Sequence, residues 1–195
     1  MDFEGIVRKT RSYRRFDESD RIGRDKLVKL VDMARLSASA TNRQPLKYLV
    51  YDSEKECEEI FPATAWAGFL KEWPGPVPGE RPTGYIIILS DTEIKDHFGV
   101  DHGIAAQTIM LGATTMGYGG CMIGSIRKDI LRARLQIPER YEILLVLALG
   151  RPVEKVVIDE IQYDDYKYWR EADGTHHVPK RTLGEVLLNL YKKSP

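Results

Sequence analysis

The chain contains very little cysteine. Only two of its 195 residues are cysteines, Cys57 and Cys121, and they do not form a C-x-x-C pair. Two separated cysteines are too few for a disulfide framework of the kind that stabilises small secreted domains. The N-terminus also lacks a positively charged start followed by an apolar run, so the sequence predicts no secretion signal. We therefore expect two reduced thiols and a cytoplasmic protein.

The chain also has no excess of charge of either sign. Lys and Arg together number 29, Asp and Glu together number 29, and the formal net charge is zero. Proteins that hold DNA or RNA through counterion release usually carry a basic excess, so this balance argues against a nucleic-acid-binding module. Hydrophobic residues at 43% and charged residues at 30% indicate a folded globular domain rather than a disordered chain.

Membrane spans and metal motifs are missing as well. Residues 103–126 carry no formal charge, but they include Gln107 and the turn sequence Gly117-Tyr118-Gly119-Gly120. We interpret this stretch as a buried helix, a turn and a buried strand, and we expect no membrane partner. The four histidines do not form H-E-x-x-H and no cysteine joins them at metal spacing, so no metal site is predicted. Neither G-x-G-x-x-G, a P-loop nor G-x-S-x-G occurs.

The hydrophobic pattern predicts helices and strands that alternate along the chain. An almost entirely apolar run such as residues 85–89 is typical of a strand buried on both faces. The mixture of elements indicates an α/β or α+β fold with a central sheet. We predict helices at residues 3–9, 24–36, 54–61, 100–116, 128–135 and 183–191, and strands at residues 48–51, 85–89, 120–123 and 143–149.

The first segment with chemical character is Arg11-Ser12-Tyr13-Arg14-Arg15-Phe16. An arginine fork donates two parallel hydrogen bonds to a phosphate, and a serine hydroxyl or a backbone N–H can join it on the same anion. Short Arg/Ser strings are also common as solvated basic patches, and this segment alone does not distinguish the two interpretations.

The second segment, Ser37-Ala38-Ser39-Ala40-Thr41-Asn42-Arg43-Gln44-Pro45, follows one helix later. It offers hydroxyl and amide groups, where the first segment offers guanidinium groups. A phosphorylated, planar, hydrogen-bonding cofactor needs that mixture. The other interpretation is an ordinary polar helix exit that ends at a proline.

Together the two segments resemble the FMN-dependent nitroreductase family. The first resembles the family's Arg-Arg-Ser-x-Arg-x-Phe, with Thr10 in place of the first arginine. The second resembles Pro-Ser-x-x-Asn-x-Gln-Pro-Trp, with Ala38 and Leu46 in place of the first Pro and the Trp. Residues 101–124 resemble the family's central helix and the glycine turn after it, and residues 178–183 resemble its late basic segment.

The resemblance implies an α+β, three-layer α/β/α sandwich in which helices flank a central mixed or antiparallel sheet, in one domain spanning residues 1–195. It also implies a set of residues that bind FMN and no metal site. These residues are Arg11, Ser12, Arg14, Ser39, Asn42, Gln44, Met122, Ile123, Gly124, Lys180 and Arg181. Arg14 is in addition the implied catalytic residue, because a cation near the pyrimidine edge stabilises the anionic reduced flavin.

The activity that the resemblance implies is a ping-pong oxidoreductase reaction. NADH or NADPH reduces FMN, and the reduced cofactor then reduces a small-molecule acceptor such as a nitroaromatic or a quinone. Family members form intertwined homodimers with FMN at the subunit interface. Residues 62–82 and 155–177 match least and are expected to be variable lid or arm segments. A reductive dehalogenase or a flavin-fragmenting enzyme of the same fold is the open alternative.

Overall fold

The computed structural model describes residues 1–94 and 99–188. The helices are α1 (Phe3–Lys9), α2 (Arg24–Arg35), α3 (Glu54–Ile60), α4 (Asp101–Thr115), α5 (Lys128–Leu135) and α6 (Leu183–Val186). The strands are β1 (Phe16–Asp17), β2 (Leu46–Tyr51), β3 (Gly84–Asp91), β4 (Gly119–Ile123), β5 (Tyr141–Pro152), β6 (Val156–Glu160), β7 (Trp169–Arg170) and β8 (His176–Lys180). The described residues form two compact units, residues 1–66 with 74–153, and residues 67–73 with 154–188.

The first unit is built on a five-stranded antiparallel sheet. Strand β5 is at its centre and pairs with β3, with β4 and, at its C-terminal end, with β1. Strand β2 extends the sheet beyond β3. Strand β5 has twelve residues and is therefore long enough to pair with three other strands.

The sheet of the first unit is covered on both faces. All eight residues of β3 are buried, and side chains along a strand alternate between faces. Ile86 and Ile88 pack with residues of α2 and α4, whereas Ile87 packs on the opposite face with residues of α3 and α5. This arrangement confirms the three-layer α/β/α sandwich and explains why the β3 sequence is apolar throughout.

Helix α4 is the central helix of the first face. Ala105, Ile109 and Ala113 are buried against the sheet. A Cβ on Gly112 would come within 2.8 Å of Leu30 in α2, so the absence of a side chain there lets the two helices pack closely. The exposed residues of α4 carry no charge. They are Gly103, Ile104, Gln107 and Thr115.

The second unit contains a small sheet of its own. Strand β8 runs parallel to β6 and antiparallel to β7. Trp169 stacks on His177 with 4.8 Å between ring centroids. Arg170 pairs at 3.0 Å with Glu154, whose side chain is wholly buried, and its guanidinium lies over the ring of Trp73. Ion pairs and aromatic contacts, rather than a large apolar core, organise this unit.

The sequence pattern predicted the helices and strands of the first unit well but missed β1, β6, β7 and β8. Strands β1 and β7 have two residues each, too few to show a period. Strand β8 contains Pro179, which argues against a paired strand, yet β8 lies between two partners. The last helix was predicted over residues 183–191 and is described as Leu183–Val186; residues 189–191 lie outside the described part.

Candidate cofactor site

The first segment, residues 11–16, connects α1 to β1 and lies alongside β4. Ser12 forms a parallel bridge with Gly120, and the Tyr13 N–H donates to the Gly120 carbonyl oxygen at 2.9 Å. A Cβ on Gly119 would lie 2.6 Å from the Tyr13 ring, so the approach requires glycine. The pairing places the arginines of the first segment beside the strand that contains Met122.

Arg11 is a half-buried cation without a carboxylate partner. One of its terminal nitrogens donates to the Val7 carbonyl oxygen at 2.7 Å. The Nε–H of Arg11 is buried and has no hydrogen-bond acceptor among residues 1–94 and 99–188. Within the same residues, no carboxylate lies within ion-pair distance of Arg11. Burial lowers the pKa of Arg11, because the charged form loses solvation. Such a guanidinium is suited to bind a phosphate that supplies the missing charge and acceptor.

Arg14 and Arg15 have different surroundings. The side chain of Arg14 is directed into the fold, and this residue is only 8% exposed. Its Nη1 donates to the Ser12 carbonyl oxygen at 3.3 Å. The next arginine, Arg15, forms a two-point ion pair with Glu80, with Nε donating at 2.7 Å. Arg15 is thus part of a structural pair, and Arg14 is the arginine held inside the first segment.

Thr10 occupies the position where the family pattern has an arginine. It is 7% exposed, and its hydroxyl donates to the Ile6 carbonyl oxygen at 2.7 Å and lies 2.9 Å from the Thr114 hydroxyl. Thr10 therefore joins α1 to the C-terminal end of α4 and offers nothing to a phosphate. The nearby Arg8 pairs with Glu4 on the surface at 2.9 Å.

The second segment, residues 37–45, is fixed by a buried carboxylate of α4. The Ser39 hydroxyl donates to Asp101 Oδ2 at 2.7 Å, and the Ala40 N–H donates to Asp101 Oδ1 at 3.2 Å. The same hydroxyl accepts from the Gln44 N–H at 3.0 Å. Asp101 is the first residue of α4 and is 3% exposed. These contacts close residues 39–44 into a compact loop.

The loop at residues 39–44 has an unusual backbone. Thr41, Asn42 and Gln44 all have left-handed conformations, with φ of 52°, 54° and 52°. Non-glycine residues adopt this region rarely, although asparagine tolerates it better than most. Asn42 and Gln44 are exposed, and the Gln44 side-chain amide donates to the Asn42 carbonyl oxygen at 3.1 Å. The loop therefore presents amide groups at the surface.

A cavity of about 170 Å³ lies behind this loop, between α2, β2 and α4. Its lining includes Ser39, Gln44, Tyr48 and Asp101. Burial, and secondarily the charge of Asp101, raises the pKa of Tyr48 to about 12. The Tyr48 phenol thus stays neutral at physiological pH and keeps a proton to donate.

The two segments are anchored at opposite ends of α4. Thr10, next to the first segment, contacts Thr114, whereas Ser39 of the second segment contacts Asp101. Thirteen residues of helix at 1.5 Å each separate Asp101 from Thr114 by about 20 Å. One chain therefore brings the first segment to β4 but does not bring the second segment to the same place.

The remaining predicted residues occupy three environments. Met122 is half-buried in β4, Ile123 belongs to the core, and Gly124 is exposed just beyond the strand. Lys180 ends β8 in the second unit. Arg181 follows it and donates to Asp164 at 2.6 Å and to Glu185 at 3.4 Å, and these carboxylates raise the pKa of Arg181. A phosphate at Arg181 would have to displace these partners.

The three-layer fold is shared with solved flavoenzyme-type structures. A nitroreductase family protein from Clostridium novyi has a TM-score of 0.64 and 27% identity, covering 78% of this chain and 87% of that one. A protein from Exiguobacterium sibiricum, crystallised in complex with FMN, has a TM-score of 0.65 at 23% identity, covering 78% of this chain and 89% of that one.

Sequence comparison identifies the protein family. The model of the nitroreductase family matches residues 7–151, and the chain belongs to that family. The YodC protein of Bacillus subtilis, which bears the name of an NAD(P)H nitroreductase, is 22% identical over 179 residues, or 76% of this chain and 89% of YodC. The resemblance seen in the two segments is thereby confirmed.

Neither a membrane-spanning helix nor a cluster of metal ligands is found in residues 1–94 and 99–188. No helix there combines the length and the apolar character that crossing a bilayer demands. No group of three or more His, Cys, Asp or Glu side chains there is arranged to hold a metal ion.

Proposed function

We propose that this protein is an FMN-dependent oxidoreductase that uses NADH or NADPH to reduce small acceptors such as nitroaromatic or quinone-like compounds. Membership of the nitroreductase family supports the proposal, as do relatives named as NAD(P)H nitroreductase and as FMN reductase. The observation that carries it is Arg11, a half-buried cation with an N–H that lacks an acceptor, beside the exposed Ser12.

Each part of the first unit has a separate task in this proposal. Arg11 and Ser12 hold the phosphate and the start of the ribityl chain. Arg14 places a cation near the pyrimidine edge, where it favours the more negative, reduced form of the cofactor. Backbone groups of residues 122–124 border the ring, and Gly124 leaves space because a Cβ there would meet nothing within 4 Å. FMN supplies the redox chemistry, and the protein supplies position and charge.

A second copy of the chain completes the site. In the proposed site, both segments contact the short ribityl chain of FMN, yet their anchors on α4 are about 20 Å apart within one chain. Asn42 and Gln44 therefore reach the cofactor held by the first segment of the partner. The exposed face of α4 carries Gly103, Ile104 and Gln107 and no charge, which fits a subunit interface.

The late basic residues Lys180 and Arg181 and the variable segment 155–177 lie in the second unit. Lys180 and Arg181 remain assigned to FMN, and Arg181 binds a phosphate only in exchange for Asp164. Residues 62–82 and 155–177 act as lid or arm segments that select the acceptor, and they belong with the rest of residues 1–195 to one functional domain.

The cysteines support a reducing compartment, the cytoplasm. Cys57 and Cys121 are buried free thiols. Burial raises the pKa of Cys57 to about 11, so this thiol stays protonated and takes no part as a nucleophile.

The proposal is tested by the absorption spectrum of the purified protein, recorded before and after anaerobic addition of NADH or NADPH. We expect a flavin spectrum that either nucleotide bleaches, followed by its return when a quinone or nitroaromatic acceptor is added. A colourless protein that takes up no added FMN contradicts the proposal. A flavin that bleaches but passes no electrons to these acceptors points to the dehalogenase or flavin-fragmenting chemistry instead.

A further inference from the structure

We propose that Asp101 is a positioning residue for the cofactor, and that it acts through the loop at residues 39–44. The inference rests on the proposed function, because it assigns the loop to FMN. Asp101 itself is only 3% exposed at the start of α4, and both of its carboxylate oxygens accept hydrogen bonds from the loop. Its effect on the cofactor must therefore pass through the groups that it holds.

The carboxylate of Asp101 holds the loop at two points. Oδ2 accepts from the Ser39 hydroxyl at 2.7 Å, and Oδ1 accepts from the Ala40 N–H at 3.2 Å. Only a carboxylate offers two acceptor oxygens side by side, since an asparagine in its place would turn an NH₂ group toward one of these donors. The N-terminal end of α4 further stabilises the negative charge.

Ser39 extends this hold across the loop. Its hydroxyl has one hydrogen, which it donates to Asp101, and its oxygen accepts from the Gln44 N–H at 3.0 Å. That hydrogen is therefore not available to a ribityl hydroxyl. We infer that Ser39 serves the cofactor chiefly by fixing Gln44 and, between them, Asn42.

The loop needs such a hold because its backbone is unfavourable. Thr41, Asn42 and Gln44 are all left-handed, and non-glycine residues persist in that region only where the surroundings impose it. Without the hydrogen bonds to Asp101, we expect the backbone of residues 39–44 to relax toward more common φ/ψ conformations. The side-chain amides of Asn42 and Gln44 then lose the orientation in which they meet the cofactor.

The first test measures the loop itself by limited trypsin digestion of the purified protein. Arg43 is exposed inside the loop and is followed by Gln44, so the bond after Arg43 is a trypsin site. Mass spectrometry of the fragment that ends at Arg43 gives the cleavage rate. We expect Asp101→Asn and Ser39→Ala to raise this rate about fivefold to tenfold, the change expected from losing one net hydrogen bond.

Two matched variants serve as controls. Ser39→Thr keeps the hydroxyl and restores slow cleavage. Ser37 also connects the second segment to α4, because Ser37 Oγ lies 2.8 Å from Thr108 Oγ1. Ser37→Ala removes this contact but does not change residues 39–44. We expect Ser37→Ala to cleave like the unchanged protein. If Asp101→Asn does not fold, the Ser39 pair of variants decides the question.

The second test measures FMN binding to the same set of proteins by the quenching of flavin fluorescence. Asp101→Asn and Ser39→Ala are expected to weaken FMN binding about tenfold. Ser37→Ala is expected to keep the original affinity, and Ser39→Thr to recover most of the affinity that Ser39→Ala loses. Unchanged cleavage in the first two variants overturns the inference, and so does faster cleavage with unchanged FMN affinity. If the unchanged protein binds no FMN, the proposed function fails and the inference fails with it.

Discussion

At the scale of single residues, Arg11 differs from several other arginines of the chain in lacking a compensating negative charge. Arg15, Arg140 and Arg151 each pair with a carboxylate. Arg11 has no such partner in the described ranges, and burial lowers its pKa. A protein gains nothing in stability from a half-buried cation of this kind unless an anion compensates it. This environment supports the proposal that Arg11 binds a phosphate.

Arg11→Ala is expected to weaken FMN binding. The charge-assisted contact to the phosphate is worth about 1.5–3 kcal/mol, so the dissociation constant should rise roughly 10- to 150-fold. Flavin fluorescence titration measures it. Arg8→Ala is the control, because Arg8 pairs with Glu4 on the surface and should leave the affinity unchanged. Equal affinities for both variants would show that Arg11 is not a phosphate ligand.

Arg14→Ala is expected to lower the two-electron potential of bound FMN. Loss of about 1–2 kcal/mol of electrostatic stabilisation from the reduced form corresponds to roughly 20–40 mV. Arg14→Lys keeps the charge and should retain most of the potential. Equilibration with a reference dye under anaerobic conditions measures it. A potential that stays the same in an Arg14→Ala protein with FMN bound removes the catalytic role from Arg14.

Much of the candidate site can be predicted from the sequence because its residues lie close together in two short segments. The role of Asp101 cannot be predicted in this way. Its role depends on the start of α4 meeting a loop about sixty positions earlier, and only the fold creates that contact. One signal was available: Asp101 is the only formally charged residue of α4 in a helix that is otherwise apolar or neutral. The buried position of Thr10 was likewise invisible to the motif.

At the scale of elements, the close packing of β4 against β5 depends on glycine. A Cβ on Gly120 would lie 2.3 Å from the Ala148 carbonyl oxygen in β5, so the strand has no room for a side chain there. Beyond the strand, a Cβ on Gly124 would meet nothing within 4 Å. The two glycines thus differ: Gly120 is required for packing, and Gly124 borders open space that the proposed function assigns to the cofactor.

The pair Gly120→Ala and Gly124→Ala separates these purposes. Gly120→Ala is expected to lower the free energy of unfolding by about 1–3 kcal/mol through overpacking. Gly124→Ala is expected to leave unfolding unchanged and to weaken FMN binding. Urea unfolding and flavin titration of both variants provide the measurements. A Gly124→Ala protein with full FMN affinity would exclude close approach of the cofactor to this position.

The end of β3 is held by a buried ion pair that makes stability depend on pH. Asp91 is wholly buried, and Arg140 donates to its two oxygens at 2.8 and 2.7 Å. These bonds hold the pKa of Asp91 below its ordinary value. A carboxyl with a lowered folded-state pKa stabilises the fold above its unfolded-state pKa, and this stabilisation is lost as the pH falls through the folded-state pKa.

Asp91→Asn is therefore expected to destabilise the protein at neutral pH and to lose this effect in acid. The difference in free energy of unfolding from the unchanged protein should shrink as the pH falls below about 3.9, the ordinary value for Asp. Urea unfolding between pH 7 and pH 3 measures it. Asp32→Asn, which breaks an exposed pair with Arg35, should have little effect at any pH. A pH-independent difference for Asp91→Asn contradicts this account.

The elements of the first unit were predictable because burial on two faces leaves a strong hydrophobic pattern. Strand β3 is the clearest case, and the predicted helix at residues 128–135 coincides with α5. The strands of the second unit were not predictable. Its strands are short, one contains Pro179, and contacts such as the buried Glu154 with Arg170 take the place of apolar periodicity.

At the scale of the whole molecule, the positions of the two segments at opposite ends of α4 determine how the proposed site is assembled. Its two ends carry the two segments, and its exposed face between them is free of charge in the described chain. A ribityl chain cannot span about 20 Å of helix, so a site that uses both segments needs two copies of the chain. Under the proposed function, dimerisation is thus a condition of cofactor binding rather than an addition to it.

The most direct measurement is FMN binding by a mixed dimer of two defective chains, one with Arg11→Ala and the other with Asn42→Asp. If each site combines the first segment of one chain with the second segment of the other, every mixed dimer contains one doubly defective site and one intact site. The account predicts half the normal amount of FMN, bound at the original affinity. If both segments of a site come from one chain, no intact site forms, and weak binding throughout would contradict the account.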